Sequence, residues 1–411
     1  MERVILHSDL NNFYASVECV LNPELRDKFV AVCGNREDRH GIVLAKNMKA
    51  KKCGVKTGEP IWMAKTKCPS LVVVPPQYEW YVKYSKEVRD IYLNYTDKIE
   101  PFGMDECWLD VTGSKRLFGD GEKIANMIRE DVKKKTGLTV SVGVSFNKIF
   151  SKLGSDIKKP DAVTVIKRED FKEIVWPLNV EELLNVGMST QKKLNSRGIK
   201  TIGDLACSEV KFLKTLLGKN GEMLYNYANG NECSPVSAYN YVYPAKSVGH
   251  GITCTKNLTN DKEVKRVIFD LTQSISHRLR GIGMLAQGVA LSVKSPALIS
   301  KECCQTLSEP THNAREIAQK AYEIFKSGFS WKEEVRAVSV RAIRLVPDNI
   351  SKQMSIFCEN SKGEKIENIE NAVEEIRAMY GNSAITYGGL MLNLKMPKAK
   401  DAEILLPSFR G

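Results

Sequence analysis

The pattern of apolar and polar positions along this chain changes repeatedly between the period of a strand and that of a helix. An apolar run at residues 4–6 leads to Asp9, which predicts a buried strand that carries a carboxylate at its C-terminal end. Residues 107–111 alternate as a second strand does. Apolar residues then recur at helical spacing over 124–132, and residues 138–145 alternate again. Strands and helices interleaved in this order predict a mixed α and β domain.

Glycine and proline punctuation divides the rest of the chain into further segments. The tail contains one amphipathic helix, predicted over residues 364–379. We expect six segments: an α+β domain built from 1–10 and 80–165, an inserted subdomain 11–79, a region of short helices 166–232, a linker 233–244, a second mixed unit 245–345, and a tail 346–411.

The composition of the chain indicates which class of molecule it binds. The chain has 411 residues, 43% of them hydrophobic, which is an ordinary globular balance and excludes a wholly disordered chain. Lys and Arg number 61 against 49 Asp and Glu, so the net charge is +12. Residues 241–350 hold 16 basic and 10 acidic residues, a net +6, which is half of the whole excess. We therefore expect a polyanion-binding surface in that segment, with a merely soluble basic protein as the alternative.

Cysteine usage and hydropathy indicate the compartment. The 11 cysteines include no Cys-x-x-Cys pair, so neither a zinc site nor a disulfide framework is predicted. The N-terminus lacks the pattern of a secretory leader, and no apolar run is long enough to span a bilayer. We expect a cytoplasmic protein that does not enter the membrane.

Three acids lie where predicted strands begin or end. Asp9 follows the first strand, and the pair Asp105 and Glu106 precedes the strand at 107–111. If these strands are neighbours, their ends bring the three carboxylates together. Two closely spaced divalent metals need a bridging carboxylate and further oxygen ligands, which this set supplies. The alternative is that the acids cap turns or remain solvated.

Three segments around these acids resemble the signature segments of the Y-family DNA polymerases, with the DinB-like branch nearest. They are DLNNFYASVE at residues 9–18, GMDECWLDV at 103–111 and SVGVSFNKIFSK at 141–152. Together with the order of segments behind them, they extend the resemblance over residues 1–350.

The resemblance implies a multidomain α+β, right-hand polymerase. It implies a ferredoxin-like palm at 1–10 and 80–165, small fingers at 11–79, a helical thumb with a helix-hairpin-helix at 166–232, and an α+β little finger at 245–345. It also implies template-directed addition of deoxynucleotides to a primer 3′ end, with low-fidelity synthesis past damaged bases in DNA repair. The cofactor it implies is a pair of Mg²⁺ ions, for which Mn²⁺ can substitute.

By the family pattern, the three acids are the catalytic residues. Asp9 and Asp105 bridge both metals, Glu106 favours the metal at the primer end, and the backbone carbonyl of Leu10 completes the shell on the nucleotide side. In the resemblance, Tyr14 beside Phe13 is the aromatic that leaves no room for a 2′ hydroxyl. A core aromatic is the alternative interpretation of Tyr14.

The nucleotide-binding positions in the fingers depart from the family pattern. Ala45, Met48 and Lys51 occupy the matching segment, and relatives usually have Tyr and Arg at the last two positions. Lys51 keeps a positive charge, whereas Met48 cannot donate a hydrogen bond to phosphate. Either Lys52, Lys49 or Asn47 compensates, or the triphosphate binds more weakly. Lys159 matches the family's other phosphate-binding lysine.

DNA contacts are expected in two places. A hairpin with Gly187 and Ser189 leads into a thumb helix, whose backbone N–H groups suit a DNA phosphate. In the little finger we expect basic side chains to hold the duplex, among them Lys246, Arg278, Arg280, Arg336, Arg341 and Arg344.

The tail contains a short peptide that resembles the segment by which bacterial polymerases engage the sliding clamp. It covers residues 353–357, with Gln353, Ile356 and Phe357 as its restricted positions. The expected partners are therefore primer-template DNA, deoxynucleoside triphosphates and a bacterial sliding clamp, for a protein that acts as a monomer.

Two other functions share some of these features. A palm-fold nucleotidyl cyclase uses the same metal chemistry, but it needs neither the thumb hairpin nor the basic C-terminal unit. A non-catalytic DNA-binding scaffold needs the basic unit but no full set of acids. Primer extension with Mg²⁺ and single nucleotides discriminates among the three.

Overall fold

The computed structural model describes residues 2–331, 333–349, 360–381, 384–391 and 393–397, with residues 360–367 described by their backbone alone. These residues separate into two units. The first comprises 2–33 and Val43–Val242, and the second comprises Gly34–Ile42 and residues 243–397.

The first unit contains eight strands and twelve α-helices among its described residues. The strands are β1 (Ile5–Leu10), β2 (Val30–Cys33), β3 (Val43–Lys46), β4 (Val72–Val74), β5 (Ile99–Pro101), β6 (Glu106–Asp110), β7 (Val140–Ser145) and β8 (Val163–Val165). The helices are α1 (Phe13–Leu21), α2 (Met48–Lys52), α3 (Ile61–Lys67), α4 (Tyr78–Tyr92), α5 (Lys115–Phe118), α6 (Gly121–Thr136), α7 (Lys148–Ile157), α8 (Phe171–Val175), α9 (Met188–Asn195), α10 (Ile202–Ala206), α11 (Val210–Leu217) and α12 (Lys219–Ala228).

A five-stranded sheet forms the centre of this unit, in the order β5-β6-β1-β7-β8. β1 lies between β6 and β7 and is antiparallel to both, whereas β7 and β8 run parallel. All six residues of β1 are buried. The first predicted strand is therefore the central strand of the sheet and is covered on both faces, so that even its polar residues His7, Ser8 and Asp9 are buried.

Helix α6 covers one face of the sheet, and its sequence specifies both of its ends. The side chain of Asp120 accepts a hydrogen bond from the backbone N–H of Lys123 and caps the first turn. Gly137 ends the helix in the left-handed conformation, with φ 74°. Between them, Ile124, Ile128 and Val132 recur on one side and enter the core beneath the sheet.

Helix α7 lies on the other face, in direct backbone contact with β7. A Cβ built on Gly143 would lie 1.9 Å from the carbonyl oxygen of Ser151 and 2.5 Å from the backbone nitrogen of Ser155, both in α7. Only glycine permits this approach. It also explains why all six residues of β7 are buried, although its sequence alternates as a half-exposed strand does.

Two smaller cores complete the first unit. A three-stranded sheet of order β3-β2-β4 packs with α2 and α3 around Ala31, Val43 and Ala64. Helices α8–α12 pack around Leu183, Leu194 and other apolar residues, and this core also takes in Phe150 of α7. Residues 231–246 form no helix or strand.

The second unit has a four-stranded antiparallel sheet backed by helices. Its elements are β9 (Ser247–Leu258), α13 (Asp261–Gly281), β10 (Met284–Lys294), β11 (Ser300–Thr311), α14 (Ala314–Gly328), β12 (Val335–Pro347) and α15 (Asn360–Tyr380). The sheet order is β11-β10-β12-β9. Val340 and Ala342 of β12 enter the core with the apolar faces of α13 and α14, whereas Arg341 between them points to the opposite, exposed face.

The described residues also bear on the expectations about membrane spans and cysteines. No helix in the described part of the chain is both long and apolar enough to cross a membrane. The cysteines in the described residues are free thiols.

We predict that Gly143→Ala destabilises the first unit and inactivates the protein, because the added methyl collides with backbone atoms of α7 that cannot rotate away. Overpacking of this kind lowers the free energy of unfolding by about 3 kcal/mol. Urea denaturation monitored by tryptophan fluorescence measures the shift. The control is Gly113→Ala, where nothing lies within 4 Å of the new methyl group. Equal midpoints for the two variants would show that the contact between β7 and α7 is not tight.

Candidate active site

The register of β1 and β6 brings Asp9 and Glu106 side by side at one end of the five-stranded sheet. In this antiparallel pair, Asp9 is the direct partner of Glu106. The backbone N–H of Leu10 donates to the Asp105 carbonyl oxygen at 2.9 Å, which extends the pairing one step beyond the strand. The three acids predicted from the sequence therefore lie at adjacent strand ends.

The turn before β6 holds the acid pair in place. The backbone N–H groups of Phe102 and Gly103 both donate to the carbonyl oxygen of Glu106, at 2.9 and 3.3 Å. The hydroxyl of Ser85, on α4, donates to the carbonyl of Met104. Helix α4 therefore fixes the turn from which Asp105 projects.

Two lysines from α7 and its C-terminal extension neutralise these carboxylates. The Nζ of Lys152 lies 2.8 Å from Oε1 of Glu106. The Nζ of Lys159 lies 2.6 Å from Oδ2 of Asp9 and 2.8 Å from Oδ1 of Asp156. The close approach of α7 to Gly143 thus places two ammonium groups over the acidic strand ends.

The surroundings of Asp9 and Asp105 solvate their negative charges poorly, so the pKa values of both are raised. Burial raises the pKa of Asp9 to about 6, against the opposing charge of Lys159. Burial and the nearby charge of Asp9 raise the pKa of Asp105 to about 6. Burial alone would lower the pKa of Lys159, but Asp9 and Asp156 outweigh it and raise the value. A further cation at this edge would relieve the repulsion between the acids.

The donor chemistry of this edge fits a hard divalent cation. Asp9, Asp105, Glu106 and the Leu10 carbonyl offer oxygen alone, the ligand type that Mg²⁺ prefers. Within the described ranges, no three His, Cys, Asp or Glu side chains already form a ready-made metal site. One oxygen of Asp9 and one of Glu106 are instead paired with lysine. A metal here would replace an ammonium group as the counter-charge.

His7 lies behind the acids and was not singled out by the sequence analysis. Its Nδ1 is 2.8 Å from the hydroxyl of Ser155 in α7, and its Nε2 is 3.9 Å from Oε2 of Glu106. Burial, followed by the charges of Lys152 and Lys159, lowers the pKa of His7 well below its usual value. His7 is therefore neutral and packs between β1 and α7.

Tyr14 belongs to a wall of aromatic rings beside the acids. Its ring stacks on Tyr81 of α4 with centroids 4.2 Å apart and 10° between the planes, and Tyr78 meets it edge-on at 6.0 Å. The Tyr81 hydroxyl donates to the buried carboxylate of Glu18. Burial raises the pKa of Tyr14 to about 12, so the ring is neutral. Tyr14 is thus held flat and rigid.

Of the residues named as substitutes for Met48, two are engaged in contacts within the fold. The Asn47 side chain caps α2 by accepting from the Ala50 N–H at 3.0 Å. Lys49 pairs with Asp27 at 3.1 Å. Burial and then the charge of Lys51 lower the pKa of Lys46, which shows that these two ammonium groups are neighbours. Asn47 and Lys49 are therefore committed to contacts within the fold.

The thumb hairpin leaves its helix N-terminus accessible. Gly187 precedes α9 with an extended backbone of negative φ, and a Cβ built on it would meet nothing within 4 Å. The fold therefore does not require glycine here; the turn depends instead on Asn185, whose φ is 73°. Ser189 lies in the first turn of α9, beside the N–H groups that the hairpin exposes.

The basic side chains of the second unit have different surroundings. Arg341 on the exposed face of β12 pairs with Glu302 at 2.7 Å. Arg336 lies on the same strand, and Lys246 directly precedes β9. Arg280 instead pairs with the buried Glu370 of α15 at 2.8 Å, and Arg278 donates to the Gly249 carbonyl oxygen. Arg280 therefore ties α15 to α13, a role that sequence reasoning did not anticipate.

The clamp-like peptide with Gln353, Ile356 and Phe357 lies outside the described residues.

Three family matches cover most of the chain. Residues 8–156 match the impB/mucB/samB family, and residues 245–356 match the C-terminal domain of that family. Residues 181–232 match the thumb domain of DNA polymerase-iota.

Known proteins with full-length similarity give the same picture. The DNA polymerase IV of Acetivibrio thermocellus is 52% identical over 391 residues, which cover 95% of this chain and 98% of the relative. That of Bacillus velezensis is 35% identical over 395 residues, covering 95% of this chain and 93% of the relative. Among solved structures, the Y-family DNA polymerase chimera Dbh-Dpo4(243-245)-Dbh has a TM-score of 0.74 at 24% identity, covering 84% of this chain and 99% of the other. At that identity the structural likeness concerns the fold alone.

Proposed function

This chain belongs to the impB/mucB/samB family of Y-family DNA polymerases, and from that premise we propose that Asp9, Asp105 and Glu106 form its catalytic centre. The chain is a translesion-type DNA polymerase that extends a primer along a template, with a multidomain α+β polymerase fold. The cyclase and scaffold alternatives have no support. The observation that carries the catalytic assignment is the meeting of the three acids at the ends of β1 and β6.

Nucleotidyl transfer in this family depends on divalent metal. We propose two Mg²⁺ ions, replaceable by Mn²⁺, held by Asp9, Asp105, Glu106 and the carbonyl of Leu10. When bound, they supply electrostatic stabilisation to the phosphates and to the attacking and leaving oxygens. Asp9 would help to hold them, because strand pairing places it beside Glu106 and the adjoining turn carries Asp105.

Lys159 has two partners in this account. Without nucleotide it neutralises Asp9, as its 2.6 Å contact indicates. A triphosphate carries more negative charge than one carboxylate, so the ammonium group transfers from Asp9 to phosphate when nucleotide enters. Lys152 stays with Glu106 and orients that carboxylate.

The aromatic wall and the fingers complete the nucleotide site. Tyr14, packed beside Phe13, lies flat against the sugar and excludes a 2′ hydroxyl. Ala45 and Met48 contact the nucleotide without offering a side-chain hydrogen bond to phosphate. Lys51 supplies positive charge there as a point charge, without the planar geometry of arginine.

The subdivision we propose follows the family's domains. It comprises a palm at 1–10 and 80–165, fingers at 11–79, a thumb at 166–232, a linker at 233–244, a little finger at 245–345 and a tail at 346–411. Gly187 and Ser189 contact DNA phosphate in the thumb, and Lys246, Arg336 and Arg341 do so in the little finger.

Further partners and setting complete the proposal. The peptide with Gln353, Ile356 and Phe357 binds a bacterial sliding clamp. The enzyme acts as a monomer on primer-template DNA and deoxynucleoside triphosphates, since every proposed catalytic residue comes from one chain. We place it in the cytoplasm, where a bacterial polymerase finds its template.

Asp105→Asn and Glu106→Gln each test the catalytic centre without changing the size of the side chain. We expect primer extension to fall by more than about 10²-fold, because a neutral amide cannot replace the lost charge. Affinity for primer-template, measured by fluorescence anisotropy, stays unchanged. Asp97→Asn is the control, since Asp97 is an exposed acid of the same unit. Full extension by both active-site variants would overturn the assignment.

Tyr14→Ala tests the sugar discrimination. Removing the ring opens space for a 2′ hydroxyl, so we expect preference for deoxynucleotides over ribonucleotides to fall by about 10²-fold or more. Single-nucleotide incorporation with the two sugar forms measures the ratio. Tyr14→Phe keeps the flat ring and should keep the discrimination. An unchanged ratio in the alanine variant would contradict the proposed role.

Replacing Gln353, Ile356 and Phe357 together by alanine tests the clamp peptide. We expect clamp-stimulated extension on primed circular DNA to fall by about tenfold or more, because the peptide loses its two apolar anchors and its amide. Extension without the clamp stays unchanged. Ser355→Ala in the same segment is the control. Loss of both activities together would count against a specific clamp contact.

A further inference from the structure

The segment between α7 and β8 carries Lys159, and its backbone takes an unusual conformation two residues later. Asp161 has φ 53°, in the left-handed region that residues other than glycine rarely adopt. Such a conformation persists only where surrounding contacts stabilise it. The contacts of Asp161 therefore show what holds this segment in place.

Two basic side chains of α6 hold the Asp161 carboxylate. The Nη1 atom of Arg129 lies 2.9 Å from Oδ1, and the Nζ atom of Lys133 lies 3.0 Å from Oδ2. Arg129 also donates to the backbone carbonyl of Asp161 at 3.3 Å. Burial alone would raise the pKa of Asp161, but the hydrogen bonds from Lys133 and Arg129 outweigh it and lower the value. The carboxylate is therefore ionised at neutral pH and holds both cations.

Asn11 connects the backbone of Asp161 to the catalytic strand. Its Oδ1 accepts from the N–H of Asp161 at 2.8 Å and from the hydroxyl of Thr139 at 3.1 Å. Its Nδ2 donates to the hydroxyl of Ser141 at 2.9 Å. Asn11 is buried and follows Leu10 directly, so the segment after α7 is attached to the same turn that ends β1.

These contacts fix the position of the segment that carries Lys159 more than they stabilise the fold. Arg129 and Asp161 are each about one-fifth exposed and Lys133 is half exposed, and ion pairs of that kind contribute little to the free energy of unfolding. A lysine side chain, however, has many rotamers, and its ammonium group reaches a defined point only if its backbone is fixed. Lys159, two residues away, reaches both Asp9 and Asp156 from this backbone.

We infer that Asp161, held by Arg129, Lys133 and Asn11, is a positioning residue that aims Lys159 at the incoming triphosphate. This inference rests on the proposed phosphate-binding role of Lys159. It assigns nucleotide affinity to residues of α6 and of the turn after β1 that touch no substrate.

Asp161→Asn tests the inference cleanly, because asparagine keeps the size of the side chain and tolerates a left-handed backbone. In single-turnover primer extension, we expect the nucleotide concentration for half-maximal rate to rise about fivefold to tenfold. The maximal rate, the affinity for primer-template and the midpoint of urea denaturation change little. Glu169→Gln, at an exposed position of the same unit, is the matched control and leaves all four quantities unchanged.

A double-mutant cycle with Lys159→Ala shows whether Asp161 affects the nucleotide requirement through Lys159. If Asp161 acts through Lys159, Asp161→Asn raises the nucleotide requirement in the parent enzyme but adds nothing in the Lys159→Ala background. Equal effects in the two backgrounds would overturn the inference. If Lys159→Ala alone leaves the nucleotide requirement unchanged, the proposed role of Lys159 fails, and the inference fails with it. If Lys159→Ala raises it but Asp161→Asn does not, only the inference fails.

Arg129→Gln is a second variant in case Asp161→Asn lowers stability. It removes one of the two ion pairs and the Arg129 hydrogen bond to the Asp161 carbonyl, but it keeps the Lys133 pair and the Asn11 contact with the Asp161 N–H. We expect a smaller rise in the nucleotide requirement, with the same dependence on Lys159. A loss of maximal rate or of folding without a change in nucleotide requirement would show a structural role only, and would contradict the inference.

Discussion

Repulsion between one buried and two partly buried carboxylates is the constraint on which the rest of the first unit depends. The pairing of β1 with β6 forces Asp9 and Glu106 together, and Asp105 follows from the adjoining turn. A fold can keep such a group only if positive charge is supplied nearby. Helix α7 and the segment after it supply this charge through Lys152 and Lys159, and α7 reaches the sheet only because Gly143 leaves room for its backbone. The charge balance of the site therefore depends on the close packing of α7 against β7.

The same arrangement explains how the site receives its substrates. The two ammonium groups compensate the negative charge of the acids only in part, since the pKa of Asp9 and that of Asp105 both remain raised to about 6. We propose that metal and triphosphate together would supply a cation for the carboxylates and an anion for Lys159. We propose that the network around Asp161 keeps Lys159 within reach of either partner, and that the rigid stack of Tyr14 on Tyr81 limits which sugar fits beside them.

The local sequence pattern predicted the helices and strands of this fold well. Contacts between residues that are far apart in the sequence were predicted less well. Apolar runs located β1, β7 and α6, and the strand ends placed the acids, because these features depend on neighbours in the sequence. The partnership of Lys152 with Glu106 and the place of His7 behind it were missed, because they depend on which helix covers which strand. Arg280 was assigned to DNA from its charge alone, but its buried partner Glu370 is 90 residues away. Gly143 carried a signal in retrospect, as a glycine within a strand that marks a close backbone approach.

The central claim is that Asp9 exchanges an ammonium partner for metal when nucleotide binds. A crystal structure of the enzyme with primer-template, a non-hydrolysable deoxynucleoside triphosphate and Mn²⁺ tests it most directly, because anomalous scattering locates the metal. The account predicts Mn²⁺ on the carboxylates of Asp9 and Asp105 and the Lys159 ammonium group on the triphosphate. Mn²⁺ bound away from these acids, or Lys159 still paired with Asp9 in the complete complex, would contradict it.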